Sequence, residues 1–184
     1  MLTRRTFLNT AAAATGIAAT SANAQSYLVP ESQLPRVVQI DRDYATGEIH
    51  VEPDAFKLYW MLGPGLALEY SVGIGRANLY ESGDFLIQAK KEWPSWTPTP
   101  DMIERDPAAY QQFADGMEGG IDNPLGARAL YLFVGGRDTF LRIHGTNAPS
   151  TIGSAVSNGC VRLVNSHISD LYSRVPIGTR AVLH

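Results

Sequence analysis

A mainly β domain with one or two short helices is what this sequence predicts, and three features predict it. Its 17 glycines and 11 prolines supply turns at a density that suits a β-rich domain better than a helical bundle. Apolar runs of strand length recur between those turns. A sustained helical face is confined to the C-terminal region. A chain of 184 residues is long enough for one real core and too short for two comfortable ones. Hydrophobic residues make up 45% and charged residues 18%, the proportions of an ordinary globular protein. The formal net charge is -3, and no Lys/Arg-rich run lies beyond the first residues, so general electrostatic binding of nucleic acid is not expected.

Taken in order, the chain opens as an export signal over residues 1–24. Arg4-Arg5 is a twin-arginine pair followed by Phe7-Leu8, and an alanine-rich, weakly apolar stretch comes next. Ala22-Asn23-Ala24 places small residues where a signal peptidase reads them, which predicts cleavage before Gln25 and a periplasmic protein. Thr10, Thr15, Gly16, Thr20 and Ser21 interrupt the apolar run, so a transmembrane anchor is disfavoured and no stable membrane insertion is expected after cleavage. Residues 25–36 read as a polar, proline-broken flexible leader. The domain proper is predicted over 37–184.

Within it, residues 37–40 and 48–51 read as short strands around an Ala45-Thr46-Gly47 turn. An apolar, aromatic run over 56–62 is turned by Gly63-Pro64-Gly65, and 66–74 alternates as another strand. Strands are expected at 84–89, 129–134 and 139–143, with Gly135-Gly136-Arg137-Asp138 as a hairpin turn between the last two. Residues 92–125 differ. They hold Trp93, Trp96 and five prolines, with a predicted helix over 101–117 capped by Asp101. Two tryptophans argue against disorder. They either pin this long loop to the sheet or form a wall of a cleft, and the two roles are compatible. Asn165 is expected to cap a helix over 166–174, where Ile168, Leu171, Tyr172 and Val175 share a face, and 179–183 is the last strand.

Two segments carry chemistry. Leu141-Arg142-Ile143-His144-Gly145-Thr146-Asn147 is a strand-like run ending in a histidine, and Ser157-Asn158-Gly159-Cys160-Val161-Arg162-Leu163 holds the single cysteine. In an oxidising compartment structural cysteines come in pairs, so a lone thiol is a core residue, an intermolecular link or a nucleophile. An imidazole beside it would draw off its proton, and a backbone carbonyl could orient that imidazole. Gly159 would let the chain bend until amide N–H groups face a developing oxyanion. Taken alone, residue types and spacing leave these readings open. His50, His167 and His184 show no partner pattern, no metal motif appears, and Val72-Gly73-Ile74-Gly75-Arg76 lacks the third glycine and βαβ setting of a dinucleotide loop, so neither metal nor cofactor is expected.

The segment from Ile143 through Leu163 resembles the signature of the L,D-transpeptidase (YkuD-type) catalytic domain, in which His-Gly-Thr-Asn precedes a short loop and then Ser-His-Gly-Cys-Ile/Val-Arg. Tyr70-Ser71-Val72-Gly73-Ile74-Gly75-Arg76 and Asn123-Pro124-Leu125-Gly126 are similar to two further segments of that family, and the tail from Leu171 to Val182 to its closing helix and strand. The resemblance covers nearly all of 37–184 and implies a β-sandwich or barrel of mixed sheets. It implies that Cys160 is the acyl-accepting nucleophile, His144 its base, the Gly145 carbonyl the imidazole's anchor, and the amides of Gly159 and Cys160 the oxyanion donors. Asn158, Ser157, Arg162, Thr146, Trp93 and Trp96 are the expected substrate-side residues, with Arg162 either binding a carboxylate or, by preference, bracing the loop.

Two departures stand out. Asn158 replaces the family's histidine, and an amide cannot shuttle protons at neutral pH, though it can still donate a hydrogen bond. Tyr80-Glu81-Ser82-Gly83 keeps only the glycine of the family's Thr-Pro-x-Gly. The implied partners are peptidoglycan stem peptides and, in a variant reaction, a wall-attached outer-membrane protein. Three outcomes stay open at this point: a transpeptidase forming 3-3 cross-links, a cysteine hydrolase of the same fold (carboxypeptidase or amidase), and a non-catalytic wall-binding module.

Overall fold

The computed structural model describes residues 27–76 and 78–184, so the predicted export signal and its predicted cleavage point lie outside the described residues. Eleven strands form among them: β1 Arg36–Gln39, β2 Ile49–Glu52, β3 Lys57–Gly63, β4 Leu66–Ser71, β5 Ile74–Gly75, β6 Gly83–Glu92, β7 Arg128–Val134, β8 Arg137–His144, β9 Ala155–Ser157, β10 Val161–Arg162 and β11 Arg180–Leu183. Nine of them make one mixed sheet in the order β1-β4-β3-β2-β11-β6-β7-β8-β10, and β5 pairs with β9 in a small second sheet. Most neighbours run antiparallel. The exceptions in the large sheet are β11 beside β2 and β10 beside β8.

Side chains from both ends of the large sheet meet in a single core, including Ile49, Leu58 and Tyr70 from one end and Leu130, Ile143 and Val161 from the other. The sheet therefore curls, and Gly73, just past β4, bonds Arg162 of β10 in both directions (N–H to O, 2.8 and 2.7 Å), joining the two ends. Helix α3, Asn165–Arg174, covers the interior with Ile168 and Leu171, both fully buried. Burial of such a side chain contributes about 1.5–3 kcal/mol. Tyr70 of β4 donates its hydroxyl to Asp170 of α3 at 2.5 Å, fixing the helix against the far side of the sheet.

Several predicted boundaries shift for identifiable reasons. The chain turns between β7 and β8 at Gly135 and Gly136 alone, with Val134 paired to Arg137. Both glycines have positive φ (56° and 78°), the requirement of a two-residue type I′ hairpin. The predicted strand over 66–74 breaks after Ser71, because Val72 and Gly73 leave β3 to bond Phe56 and Arg162. The predicted helix over 101–117 is instead two single turns, α1 Pro100–Arg105 and α2 Pro107–Tyr110, followed by a 3-10 turn. Pro107 has no N–H and drives Asp106 out of the helical region (φ -147°), so the first helix stops there. Thr99 and Asp106, not Asp101, cap the two turns, accepting from Met102 N–H (3.3 Å) and Ala109 N–H (3.1 Å). Strands β9 and β10, which flank the cysteine loop, are too short to show periodicity in the sequence.

Candidate active site

Two neighbouring parallel strands create the site. On β8 and β10, Ile143 lies opposite Val161 and His144 opposite Arg162. Ile143 and Val161 are fully buried in the core. Side chains alternate along a strand, so His144 and Arg162 take the other face, and so does Cys160 immediately before Val161. Arg142, two residues before His144, shares that face and stacks 4.0 Å above the Tyr131 ring while pairing with Asp138. Cys160 thus directly precedes the strand that runs beside His144.

His144 is almost completely buried, at 4% exposure. Its Nδ1 lies 2.6 Å from the Gly145 carbonyl, which accepts the Nδ1 proton and leaves Nε2 as the basic nitrogen. Burial drives the imidazole pKa down to about 4, with the charges of Arg162 and Arg142 adding to the shift; the carbonyls of Gly145 and Leu125 oppose it. Cys160 is half-buried, with Sγ 3.9 Å from the Phe140 carbonyl. Burial pushes its thiol above the usual cysteine range, while the Arg142 backbone and the Arg142 and Arg162 guanidinium groups pull it back. Both shifts favour uncharged partners. Burial thus works against the thiolate and against the imidazolium alike.

The cysteine loop is held by its own hydroxyl. Ser157 Oγ donates to the Cys160 carbonyl (2.6 Å) and accepts from Gly159 N–H (3.3 Å). The Gly159 amide is thus engaged by the serine hydroxyl. Gly159 has φ +118°, and a Cβ there would lie 2.9 Å from the Leu79 carbonyl, so no other residue type fits. Arg162 does not brace the loop with its side chain: Nε and Nη2 are buried without a partner among the described residues. Bracing comes from its backbone, through Gly73. Thr146 is 2% exposed and accepts Ala148 N–H at 3.0 Å, so it shapes the turn after His144 and does not line a cleft.

The long segment over 92–125 folds onto itself and then onto the loop. Trp96 exchanges backbone hydrogen bonds with Met117 and packs edge-on against Tyr110 and Phe113 (centroids 6.3 and 5.9 Å). Trp93, 46% exposed, donates its N–H to the Ala127 carbonyl and is the more accessible of the two. Asn158 joins this segment to the loop, donating Nδ2 to Tyr110 Oη at 2.8 Å and accepting from Arg105 and Arg76.

The sequence reading missed Asn165. Val164 occupies the cap position, and Asn165 instead accepts with Oδ1 from Ala127 N–H (3.0 Å) and Thr146 N–H (3.1 Å), beneath the His144–Gly145 turn. A Cβ on Gly126 or Gly145 would come within 2.2 or 2.3 Å of that oxygen. Its preference for cap positions disguised it. Arg105 and Tyr110 carried no signal, since only the tertiary fold brings them to Asn158.

The family model for the L,D-transpeptidase catalytic domain, YkuD, matches residues 46–183. The chain belongs to this family. "Probable L,D-transpeptidase YbiS" of Escherichia coli K12 is 39% identical over 124 residues, covering 66% of this chain and 39% of that protein, so the chain spans about two fifths of that relative. A Brucella melitensis crystal structure described as a probable carnitine operon oxidoreductase, CaiA, is 46% identical with a TM-score of 0.58, covering 82% of this chain and 93% of that one. The catalytic domain of an L,D-transpeptidase from E. faecium, solved by NMR, shares the fold at a TM-score of 0.52 and 17% identity, covering 77% of this chain and 98% of that one. The mixed, mainly β architecture is therefore that of the L,D-transpeptidase catalytic domain.

Proposed function

We propose that the chain is an exported cysteine acyltransferase that forms 3-3 cross-links in peptidoglycan. The observation that supports this reading is the β8–β10 register, in which Arg162 lies opposite His144 so that Cys160 comes just before the strand beside the histidine, whose Nδ1 is anchored to Gly145. Cys160 Sγ attacks the carbonyl of the third residue of a tetrapeptide stem as its proton passes to His144 Nε2. The tetrahedral intermediate collapses, the bond to the terminal D-alanine breaks, and that amine leaves with the proton from the imidazolium. The third residue remains as a thioester on Cys160. The side-chain amine of a second stem then attacks the thioester, giving up a proton to His144, and the thiol is regenerated.

The nearby Arg142 and Arg162 charges support the sulfur as it becomes anionic. A peptidoglycan substrate fits the periplasmic location expected from the N-terminal sequence. The twin-arginine signal that would send it there lies outside the described residues, and no helix among the described residues is long and apolar enough to cross a membrane.

The test is intact-mass measurement after incubation with a carbapenem, a β-lactam whose ring opening would leave an acyl group on the nucleophile. The wild-type protein is expected to gain one adduct and Cys160→Ala none; an adduct on the variant would overturn the nucleophile assignment. Muropeptide analysis with purified tetrapeptide then separates products. A cross-linked dimer supports the transferase, and tripeptide alone identifies a hydrolase. The absence of both adduct and product indicates a wall-binding module.

A further inference from the structure

Six arginines, Arg36, Arg42, Arg128, Arg142, Arg174 and Arg180, each face a carboxylate. Arg76 and Arg105 face none among the described residues. They converge instead on one neutral atom: Asn158 Oδ1 accepts from Arg76 Nη2 at 3.1 Å and from Arg105 Nη1 at 2.9 Å. Arg76 follows β5 and Arg105 ends α1, so two separate parts of the chain deliver these cations to the same place. Both side chains are exposed. Their position is fixed from below, by the Arg76 N–H bond to the Ser157 carbonyl (3.1 Å), and from the side, by Asn158 Nδ2 on Tyr110.

A single amide oxygen leaves most of the ten N–H donors of two guanidinium groups unanswered and neutralises neither charge. Like charges held together at a solvent-open point suit an anion, and the planar fork of arginine suits a carboxylate best. The point lies two residues before Cys160, a span of at most about 7 Å of backbone. An extended peptide whose scissile carbonyl sits at Sγ places the next residue's carboxylate one step of about 3.5 Å away.

We infer that Arg76 and Arg105, set by Asn158, form the subsite for the free terminal carboxylate of the acyl donor. This inference rests on the transpeptidase reading above and adds to it the feature that selects the donor: a chain that ends one residue past the bond to be cleaved. It also gives the amide at position 158 a task, that of a neutral hinge which holds two cations without quenching them. A carboxylate entering the clasp displaces Asn158 Oδ1 from one or both guanidinium groups and leaves the Tyr110 bond in place.

The experiment uses the full chain carrying Cys160→Ala, so that peptide binds without turnover, and calorimetry with three tetrapeptides. One is the parent stem ending in D-alanine with diaminopimelate third, one has its terminal carboxylate converted to the carboxamide, and one has the third residue's side-chain carboxylate so converted. Terminal amidation is expected to weaken binding about ten-fold or more, and amidation of the third residue less than about two-fold. Adding Arg76→Gln and Arg105→Gln together should weaken the parent about ten-fold and bring the parent and its terminal amide within about two-fold of each other.

If the double variant melts early, Arg105→Gln alone, on an exposed turn, should give about a three-fold loss confined to peptides with a free terminus. Peptide binding that ignores the terminal carboxylate, or a terminal preference that survives the arginine variants, overturns the clasp and spares the transpeptidase reading. A dependence on the third residue's carboxylate that the arginine variants cancel overturns the assignment to the donor terminus. Failure of all three peptides to bind overturns the clasp and the stem-peptide substrate together.

Discussion

Two buried histidines sit in different parts of this sheet, and they spend their ring nitrogens on different partners. His144 is 4% exposed and His50 2%. Burial lowers the pKa of both. His50, on β2, spends both ring nitrogens on neighbours: Nδ1 lies 3.1 Å from His184 Nε2, and Nε2 lies 3.1 Å from Glu48. Its face stacks on Tyr44 with centroids 3.5 Å apart and planes 3° from parallel. No sequence pattern pairs His50 with His184, yet strand β11, parallel to β2, brings His184 against the first histidine of the sheet. His144 spends Nδ1 on the Gly145 carbonyl, and no side chain among the described residues takes up the other nitrogen as Glu48 does for His50. Burial and a hydrogen bond are common to both sites. A carboxylate partner and a stacked ring belong to His50 alone.

The sharpest way to break that contrast is to delete each ring in turn. His144→Gln should lower the rate of Cys160 acylation by roughly 10²–10⁴, the usual worth of a positioned general base, measured by stopped-flow with a carbapenem. His50→Gln should leave that rate within about two-fold and instead cost roughly 1–3 kcal/mol in urea unfolding, from lost hydrogen bonds and a stacked ring. Equal rate losses in both variants would mean that His144 acts through the fold and not on the sulfur.

Acid distinguishes them next. Native His144 resists protonation down to about pH 4, whereas the unfolded chain takes up that proton near pH 6.5. The unfolded state therefore binds more protons across this window, and native stability falls as pH drops from about 6.5 to about 4. The interval corresponds to about 3 kcal/mol for this one ring. Urea midpoints measured through the window should decline in the wild type and decline less in His144→Gln. His50 and His167 are shifted the same way, so the variant should retain part of the slope. An unchanged slope would place His144 in contact with water.

Much of this was legible in the chain, and what was not has a physical cause. Long apolar runs announced β6, β7 and β8, because each strand buries one face and their alternation survives in the sequence. The residue types at 144, 145, 159 and 160 carried the chemistry through resemblance. What failed to show were features made by pairs distant along the chain. Asn158 meets Arg76 across 82 residues and Arg105 across 53, and Asn165 meets Ala127 across 38. Asn165 misled outright, since asparagine before an amphipathic run ordinarily caps the helix, and here the backbone bends one residue earlier. Pro107 divides the helix expected over 101–117, because it has no N–H and holds Asp106 outside the helical region.

Asn165 supplies the smallest and most discriminating change. Its Oδ1 is the common acceptor for Ala127 and Thr146, both nearly fully buried, and His144 and Gly145 lie on the turn between those two contacts. Asn165→Ala would leave two buried N–H groups without that acceptor, at roughly 1–3 kcal/mol for each one that water cannot reach. Partial entry of water keeps the expected total near the lower end of that range, read from urea unfolding. If the Gly145 carbonyl shifts with the turn, the imidazole loses its anchor, and acylation of the fully folded variant should fall about ten-fold while alkylation of Cys160 by iodoacetamide stays unchanged. His50 has no such dependence, because its partners come from β11 and from its own hairpin. A stability loss without a rate loss would show that the turn holds His144 in place through its ladder bonds to β7 alone, with the asparagine serving only the fold.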